Sequence, residues 1–198
     1  MKGLIEKPLI LASSSERRIF LLKEAGVHFI AASHKIQIEP EFNKSLKNIS
    51  IGDFVENLAL KKAQSLGNDY PENFILGSDT LIYQNGTVYG KPKDAGGAFD
   101  MLKELSGKTH CVYTGIGLFN KQKNISMTEC DMTAVRVRAL NDNEIMDYIR
   151  KYPPLDKAGG YGIQDEEGIV ESYEGSFENV LGLPVQKLIP ILNKYRLH

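Results

Sequence analysis

Short apolar runs and amphipathic stretches of helical period take turns along this chain, and that alternation favours a layered α/β architecture. Leu9–Ala12 is a run of apolar residues short enough for one buried strand. Ser13-Ser14-Ser15-Glu16 follows in the Ser-x-x-Glu spacing of a capping box. A helix is expected to open there, carry Ile19, Leu22 and Lys23 on one face, and stop at Gly26. Asp53-x-x-Glu56 repeats the capping logic ahead of Val55, Leu58, Ala59 and Leu66, a second helix ending at Gly67. Phe74–Gly77 reads as another short buried strand. Asn85-Gly86 lies between Leu81–Tyr83 and Thr87–Tyr89, the spacing of a hairpin. Ala98, Met101, Leu102 and Leu105 mark a third helix, stopped by Gly107. Thr109–Phe119 and Thr128–Leu140 read as long strands. In the second, Thr133, Val135 and Val137 alternate with Ala134, Arg136 and Arg138. Ile145, Tyr148 and Ile149 mark a helix before Pro153-Pro154, and a last helix runs from about Pro184 to Tyr195. Pro190 predicts a kink or a break inside it. Ser33–Ile51 has no period at all, and long unpatterned loops in compact domains are often functional.

Composition narrows the function classes. The 198 residues carry a formal net charge of −1. No global field draws the chain to nucleic acid or to an anionic membrane, so phosphate binding has to come from a local cluster of cations. The near-neutral charge and the lack of a basic aromatic face argue against a nucleic-acid-binding module. Cys111 and Cys130 are the two cysteines, too few for a disulfide framework or a four-cysteine zinc site. No apolar stretch is long enough to span a bilayer, and the first residues do not read as a signal peptide. A cytoplasmic location is expected.

Five stretches carry residues able to do chemistry. Ser13–Arg18 joins a strand to a helix start, where unpartnered N–H groups, hydroxyls and two arginines suit an anion. The alternative is a capped helix with solvated arginines. The stretch lacks the glycines and the Gly-Lys-Ser/Thr of a P-loop, so it is no Walker-type site. Gly77-Ser78-Asp79-Thr80 follows an apolar run, which places Asp79 at a strand's C-terminal end, where open α/β sheets bind ligands. A carboxylate there can hold a metal or act as a base, or it can simply sit in a turn. Lys91, in Gly90-Lys91-Pro92, offers a point charge to a phosphate. Lys62 falls near the apolar face of the second helix and either snorkels or faces a cleft. Asp156–Gln164 places three glycines around Tyr161, the mark of a close backbone approach, and Gln164 can both donate and accept, as reading a base edge requires. Gly175–Pro184 ends in a proline suited to a helix's first turn. His34 and His110 are candidate ligands or bases but show no metal-binding spacing.

In order and spacing these stretches resemble the Maf family of nucleotide pyrophosphatases. The resemblance rests on Ala12–Arg18, Lys61-Lys62-Ala63, Gly77–Thr80, Lys91-Pro92, His110–Thr114, Lys157–Gln164 and Gly175–Pro184, and it covers nearly the whole chain. It implies a single domain over residues 1–198. The implied fold is an elongated, mixed, twisted sheet flanked by helices, with two lobes around a cleft, similar to inosine triphosphate pyrophosphatases. It implies hydrolysis of a nucleoside triphosphate to monophosphate and pyrophosphate with a divalent metal, Mg²⁺ or Mn²⁺, and it admits a homodimer. Asp79 matches the family's proposed base, and Ser13, Arg17, Arg18, Lys62 and Lys91 match its phosphate-binding positions. Arg17, Thr80 and Gln164 fit a subgroup that resembles dTTP and UTP pyrophosphatases rather than one acting on 7-methyl-GTP. Glu39 is the candidate second metal carboxylate, with Glu41 as its competitor. The chain departs from the family pattern at Glu16 (usually Pro), Ser78 and Gly160 (usually Ala) and Asp165 (usually Gly). The rival class is a nucleotide-binding regulator of cell division without turnover, which would need the cations but not Asp79.

Overall fold

The computed structural model describes residues 7–37 and 49–197. Among them the elements run β1 (Leu9–Ala12), α1 (Glu16–Glu24), β2 (Phe29–Ala32), α2 (Ile51–Gln64), β3 (Ile75–Gln84), β4 (Thr87–Tyr89), α3 (Ala95–Leu105), β5 (Thr109–Asn120), β6 (Ile125–Val137), α4 (Asp142–Lys151), a 3₁₀ turn at Ala158–Gly160, β7 (Val170–Glu174), α5 (Phe177–Leu181) and α6 (Val185–Lys194). The seven strands form one sheet in the order β2-β1-β3-β5-β6-β7, with β4 paired to β3. β1 is parallel to β2 and β3, whereas β4 on β3 and β7 on β6 are antiparallel. The fold is therefore mixed α/β with helices flanking the sheet, as expected. No helix among the described residues is long and apolar enough to cross a membrane.

The chain divides into two compact units. One comprises Met1–Asp79, Thr114–Asp131 and Gly182–His198, and the other Thr80–Tyr113 and Met132–Leu181. In the first, Ile10, Ala12, Ala63, Leu66 and Ile75 form a buried cluster. Helix α2 lies directly on the main chain of the strands beneath it. A Cβ added to Gly77 would stand 2.0 Å from the Ala59 carbonyl oxygen, one on Gly115 2.6 Å from Val55, and one on Gly117 2.5 Å from Leu60. Each of these glycines is needed because a helix backbone occupies the space of a side chain. In the second unit Ile82, Leu102, Leu105, Val135 and Val137 anchor the core. The expected alternation along β6 holds there: Thr133, Val135 and Val137 are fully buried and Arg136 is exposed.

Several local expectations need correction. Ser13 does not cap α1. Its hydroxyl is buried and accepts from the Ser15 amide, and the N-cap is Ser15, with no side-chain cap bond. Leu21 joins Leu22 on the inner side of α1, and Lys23 is exposed. Helix α2 is capped by Ser50, which accepts from the Asp53 amide at 3.0 Å; Glu56 instead accepts from the Thr128 hydroxyl. Ile75–Gly77 and Leu81–Tyr83 belong to one continuous strand, so Asp79 lies in mid-strand and not at a strand's end. Gly77-Ser78 reads as a break in sequence, yet the glycine is there for the helix above it. α6 passes through Pro190 unbroken, because Leu188 and Leu192 on either side are fully buried while Pro190 is exposed. Strands β2 and β7 carried no sequence signal: β2 is four residues long, and β7 is mostly exposed and polar.

Gly117→Ala is expected to cost ~1–3 kcal/mol or more by overpacking, whereas Gly96→Ala, whose new methyl group meets only the Asp94 carboxylate at 3.4 Å, should leave stability unchanged or raised. Urea-unfolding midpoints of the two variants check this. Equal midpoints would mean that α2 can lift off the strands at no cost.

Candidate active site

The seat of α2 on β3 sets the first contact of the site. One turn beyond Leu58 and Ala59, Lys62 turns inward and its Nζ donates to Asp79 Oδ1 at 2.5 Å. Both side chains are almost wholly buried, 6% and 7% exposed. Two opposite charges taken out of water together tolerate burial, while either one alone would be strongly destabilising there. Lys62 therefore faces inward, ion-paired with Asp79.

A second chain of bonds joins the start of α1 to the same strand. Arg18 Nε donates to the Gly182 carbonyl at 2.8 Å, and Arg18 Nη1 donates to Ser13 Oγ at 3.4 Å. The Gly182 carbonyl also accepts from Ser78 Oγ at 3.0 Å. Ser78 has no exposed surface and immediately precedes Asp79. One backbone carbonyl thus links Arg18 to the residue beside the candidate base. Arg17, half-buried, is the second residue of α1. Ser13, Arg18, Lys62, Ser78, Asp79 and Gly182 all belong to the first unit.

In the second unit the glycine-rich stretch is tied to the lysine-proline stretch. The Gly159 amide donates to the Gly90 carbonyl at 2.9 Å, directly before Lys91. Gly159 and Gly160 have φ of 67° and 77°, conformations that glycine adopts without strain. Lys91 and Gln164 are exposed and Thr80 is half-buried. His110 is buried, with Nε2 2.7 Å from the Tyr161 hydroxyl. Burial pushes the imidazole down to about 4, which makes it a neutral structural group near neutral pH. Gly175–Pro184 is held through Thr133: Asn179 Nδ2 donates to Thr133 Oγ1 and to the Val112 carbonyl, and the Ser176 amide donates to Thr133 Oγ1.

The family model described as Maf-like protein matches residues 8–195. The chain belongs to the Maf family. A relative named dTTP/UTP pyrophosphatase from Dictyoglomus turgidum is 36% identical over 192 residues, covering 96% of this chain and 97% of the relative. Another of the same name from Thermosipho melanesiensis is 40% identical over 185 residues, covering 93% and 96%. Among solved structures, the Ham1 protein of Staphylococcus aureus has the same fold, with a TM-score of 0.54 at 13% identity over 96% of this chain and 100% of that one.

Set against the Maf motifs, Lys62 pairs with Asp79, while Ser13 and Arg18 are bonded to each other and, through the Gly182 carbonyl, to Ser78, the residue before Asp79; Arg17 is on the same helix as Arg18. Thr80, Lys91 and Gln164 lie in the other unit. Glu39 and Glu41 fall outside the described residues. Among the described residues no group of three or more His, Cys, Asp or Glu side chains is placed to hold a metal. Cys111 and Cys130 are free thiols. Sequence reasoning missed Ser78 and Gly182 as the link between Arg18 and Asp79. The signal was a hydroxyl at Ser78, where the Maf pattern usually has Ala.

The neutral His110 has a consequence for stability. Its folded value lies below the ordinary 6.5, so the unfolded chain binds the extra proton first as pH falls. The contribution is fully present above about 6.5 and is lost as pH falls through about 4, a total of roughly 3 kcal/mol. Urea midpoints should therefore fall over that range, and His110→Gln should flatten that part of the profile. The same slope in the variant would mean that His110 is not the group responsible.

Proposed function

We propose that this chain hydrolyses nucleoside triphosphates to the monophosphate and pyrophosphate, with dTTP and UTP as substrates, and that residues 1–198 act as one Maf-like catalytic domain. The observation that carries the reading is the buried Asp79–Lys62 pair, with Arg18 and Ser13 bonded through the Gly182 carbonyl to Ser78, the residue next to Asp79 in the strand. The names of relatives 36–40% identical over nearly their whole length support the substrate class.

A triphosphate brings about four negative charges to a chain of nearly zero net charge, so local cations have to meet it. Arg17, Arg18 and Lys91 take phosphate oxygens, and the hydroxyl of Ser13 adds a donor. An ammonium carries three donors, so Lys62 can hold Asp79 and also meet a phosphate oxygen. Asp79 accepts a proton from the attacking water. The water oxygen bonds to the α-phosphorus as the bond from that phosphorus to the β-bridging oxygen breaks. Pyrophosphate leaves with its charge held by the arginines and lysines, and the reaction needs little covalent chemistry from the protein.

A divalent metal, Mg²⁺ or Mn²⁺, fits this donor set. Mg²⁺ is commonly held by one or two carboxylates plus substrate phosphates and waters, and Asp79 supplies a carboxylate beside the cations. Asp79 would hold the ion, with Glu39 as the candidate second ligand, and when bound the ion supplies charge neutralisation at the phosphates. Gln164 reads the base edge, with Thr80 as the second residue of the dTTP/UTP signature.

Two variants test the assignment. Asp79→Asn should keep the fold and lose ~10²-fold or more in turnover, the scale of a general base; pyrophosphate release from dTTP with Mg²⁺ or Mn²⁺ measures it, and near-normal turnover removes Asp79 from the role. Gln164→Glu replaces a donor by an acceptor and should weaken selection of uracil and thymine. Unchanged kcat/KM ratios across a panel of nucleotides would count against Gln164 as the base reader.

A further inference from the structure

Asp165 follows Gln164 where the family pattern usually has glycine, and its carboxylate is turned inward, 6% exposed. Three donors converge on one oxygen of it. Asp165 Oδ2 accepts from the Tyr148 hydroxyl and from the Gly162 amide at 3.1 Å, and Lys157 Nζ stands 3.8 Å away. The Tyr148 hydroxyl also accepts from the Gly162 amide, at 3.0 Å. Burial, and the bond to Asp165 after it, hold the Tyr148 phenol well above its ordinary range, so it stays a donor. Lys157 is fixed in turn by the Pro153 carbonyl at 2.9 Å.

Gly162 connects this cluster to Gln164. A Cβ built on Gly162 would lie 2.8 Å from Asp165 Oδ1, 2.8 Å from Gln164 Nε2 and 2.9 Å from Gln164 Oε1. The space a side chain would take at Gly162 is thus filled by the Asp165 carboxylate and the Gln164 amide together. Asp165 pins the main chain of Gly162, and the Gln164 side chain lies against that main chain. An exposed glutamine amide otherwise has several rotamers to lose on binding, and ordering it beforehand lowers that cost.

We propose that Asp165 is a positioning residue for nucleotide selection: with Tyr148 and Lys157 it locks the Gly162–Asp165 turn so that the Gln164 amide is presented in one orientation to the base. The proposal rests on the reading of Gln164 as the base reader, and the experiment separates the two.

Asp165→Ala should raise KM for dTTP ~10-fold, the scale of losing one charge-assisted hydrogen bond, with kcat within about two-fold. It should also speed hydrogen exchange at the Gly162 amide by ~10-fold or more, since that amide loses its carboxylate acceptor. Asp165→Asn, which keeps an acceptor oxygen, should restore most of both. In a Gln164→Ala background, Asp165→Ala should add nothing to the loss of selectivity between dTTP and dGTP, the mark of two residues acting as one. Wild-type KM and selectivity in Asp165→Ala would overturn the proposal, as would an undiminished effect in the Gln164→Ala background. If Gln164→Ala itself leaves selectivity untouched, the base-reading assignment fails and the proposal falls with it, while exchange at Gly162 still decides whether Asp165 holds the turn. Should Asp165→Ala fail to fold, Tyr148→Phe removes one of the same donors, and smaller changes in the same direction are expected; no change there overturns the proposal.

Discussion

Everything in the first unit follows from how closely α2 approaches the strands beneath it. Gly77, Gly115 and Gly117 leave no side chain between helix and strand, so the main chains themselves are in contact. At that distance a lysine on the inner face of the helix has little freedom of direction. Lys62 meets Asp79, two residues after Gly77, and the pair is buried. A larger residue at any of the three glycines would raise the helix, lengthen that contact and leave two charges stranded in a poorly solvated place.

Burial of polar groups in this chain is orderly. Ser78, Thr133 and Asn179 are fully buried, and each makes bonds that fix a segment distant in sequence. The Gly182 carbonyl takes both Ser78 and Arg18, and Thr133 takes the Ser176 amide and Asn179. These bonds pull the Gly175–Leu183 stretch into place far more specifically than apolar contact alone would, because a partly satisfied buried network is costly. Gly175, with φ of 129°, would place any side chain against Thr133.

Most of the fold was legible because its elements have strong periods. The Asn85-Gly86 hairpin, with φ of 48° and 87° at its two turn residues, and the alternation along β6 follow directly from local chemistry. Helix starts were read less well, since a Ser-x-x-acid spacing occurs wherever these common residues fall. Ser13 fits the pattern but is engaged with Ser15 and Arg18, whereas the structure caps its helices with Ser50, bonded to the Asp53 amide, and with the capping box Asn141…Glu144. The site was legible as a set of residue types and not as geometry. Nothing in the sequence says that Gly77 serves a helix rather than a turn, so Asp79 was placed at a strand's end. Nothing marks Gly182 as an acceptor either, because a backbone carbonyl has no letter of its own.

On the proposed reading, placing Asp79 in mid-strand rather than on a loop has a physical use. A proton acceptor for in-line attack has to be held within a fraction of an ångström, and a strand with a helix packed against its main chain is about the stiffest support a small domain offers. Gln164 sits on the opposite kind of support, a turn held by side chains: Tyr148 and Asp165 at the Gly162 amide, with Lys157 beside the Asp165 carboxylate. On the proposed reading the two tasks are therefore held by different forces. Proton transfer depends on packing that tolerates almost no substitution, whereas base selection depends on a few hydrogen bonds that single substitutions can rewire. Such a chain can change which nucleotide it prefers without disturbing the group that activates water, and the acidic residue in place of glycine at position 165 is the kind of change that arrangement permits.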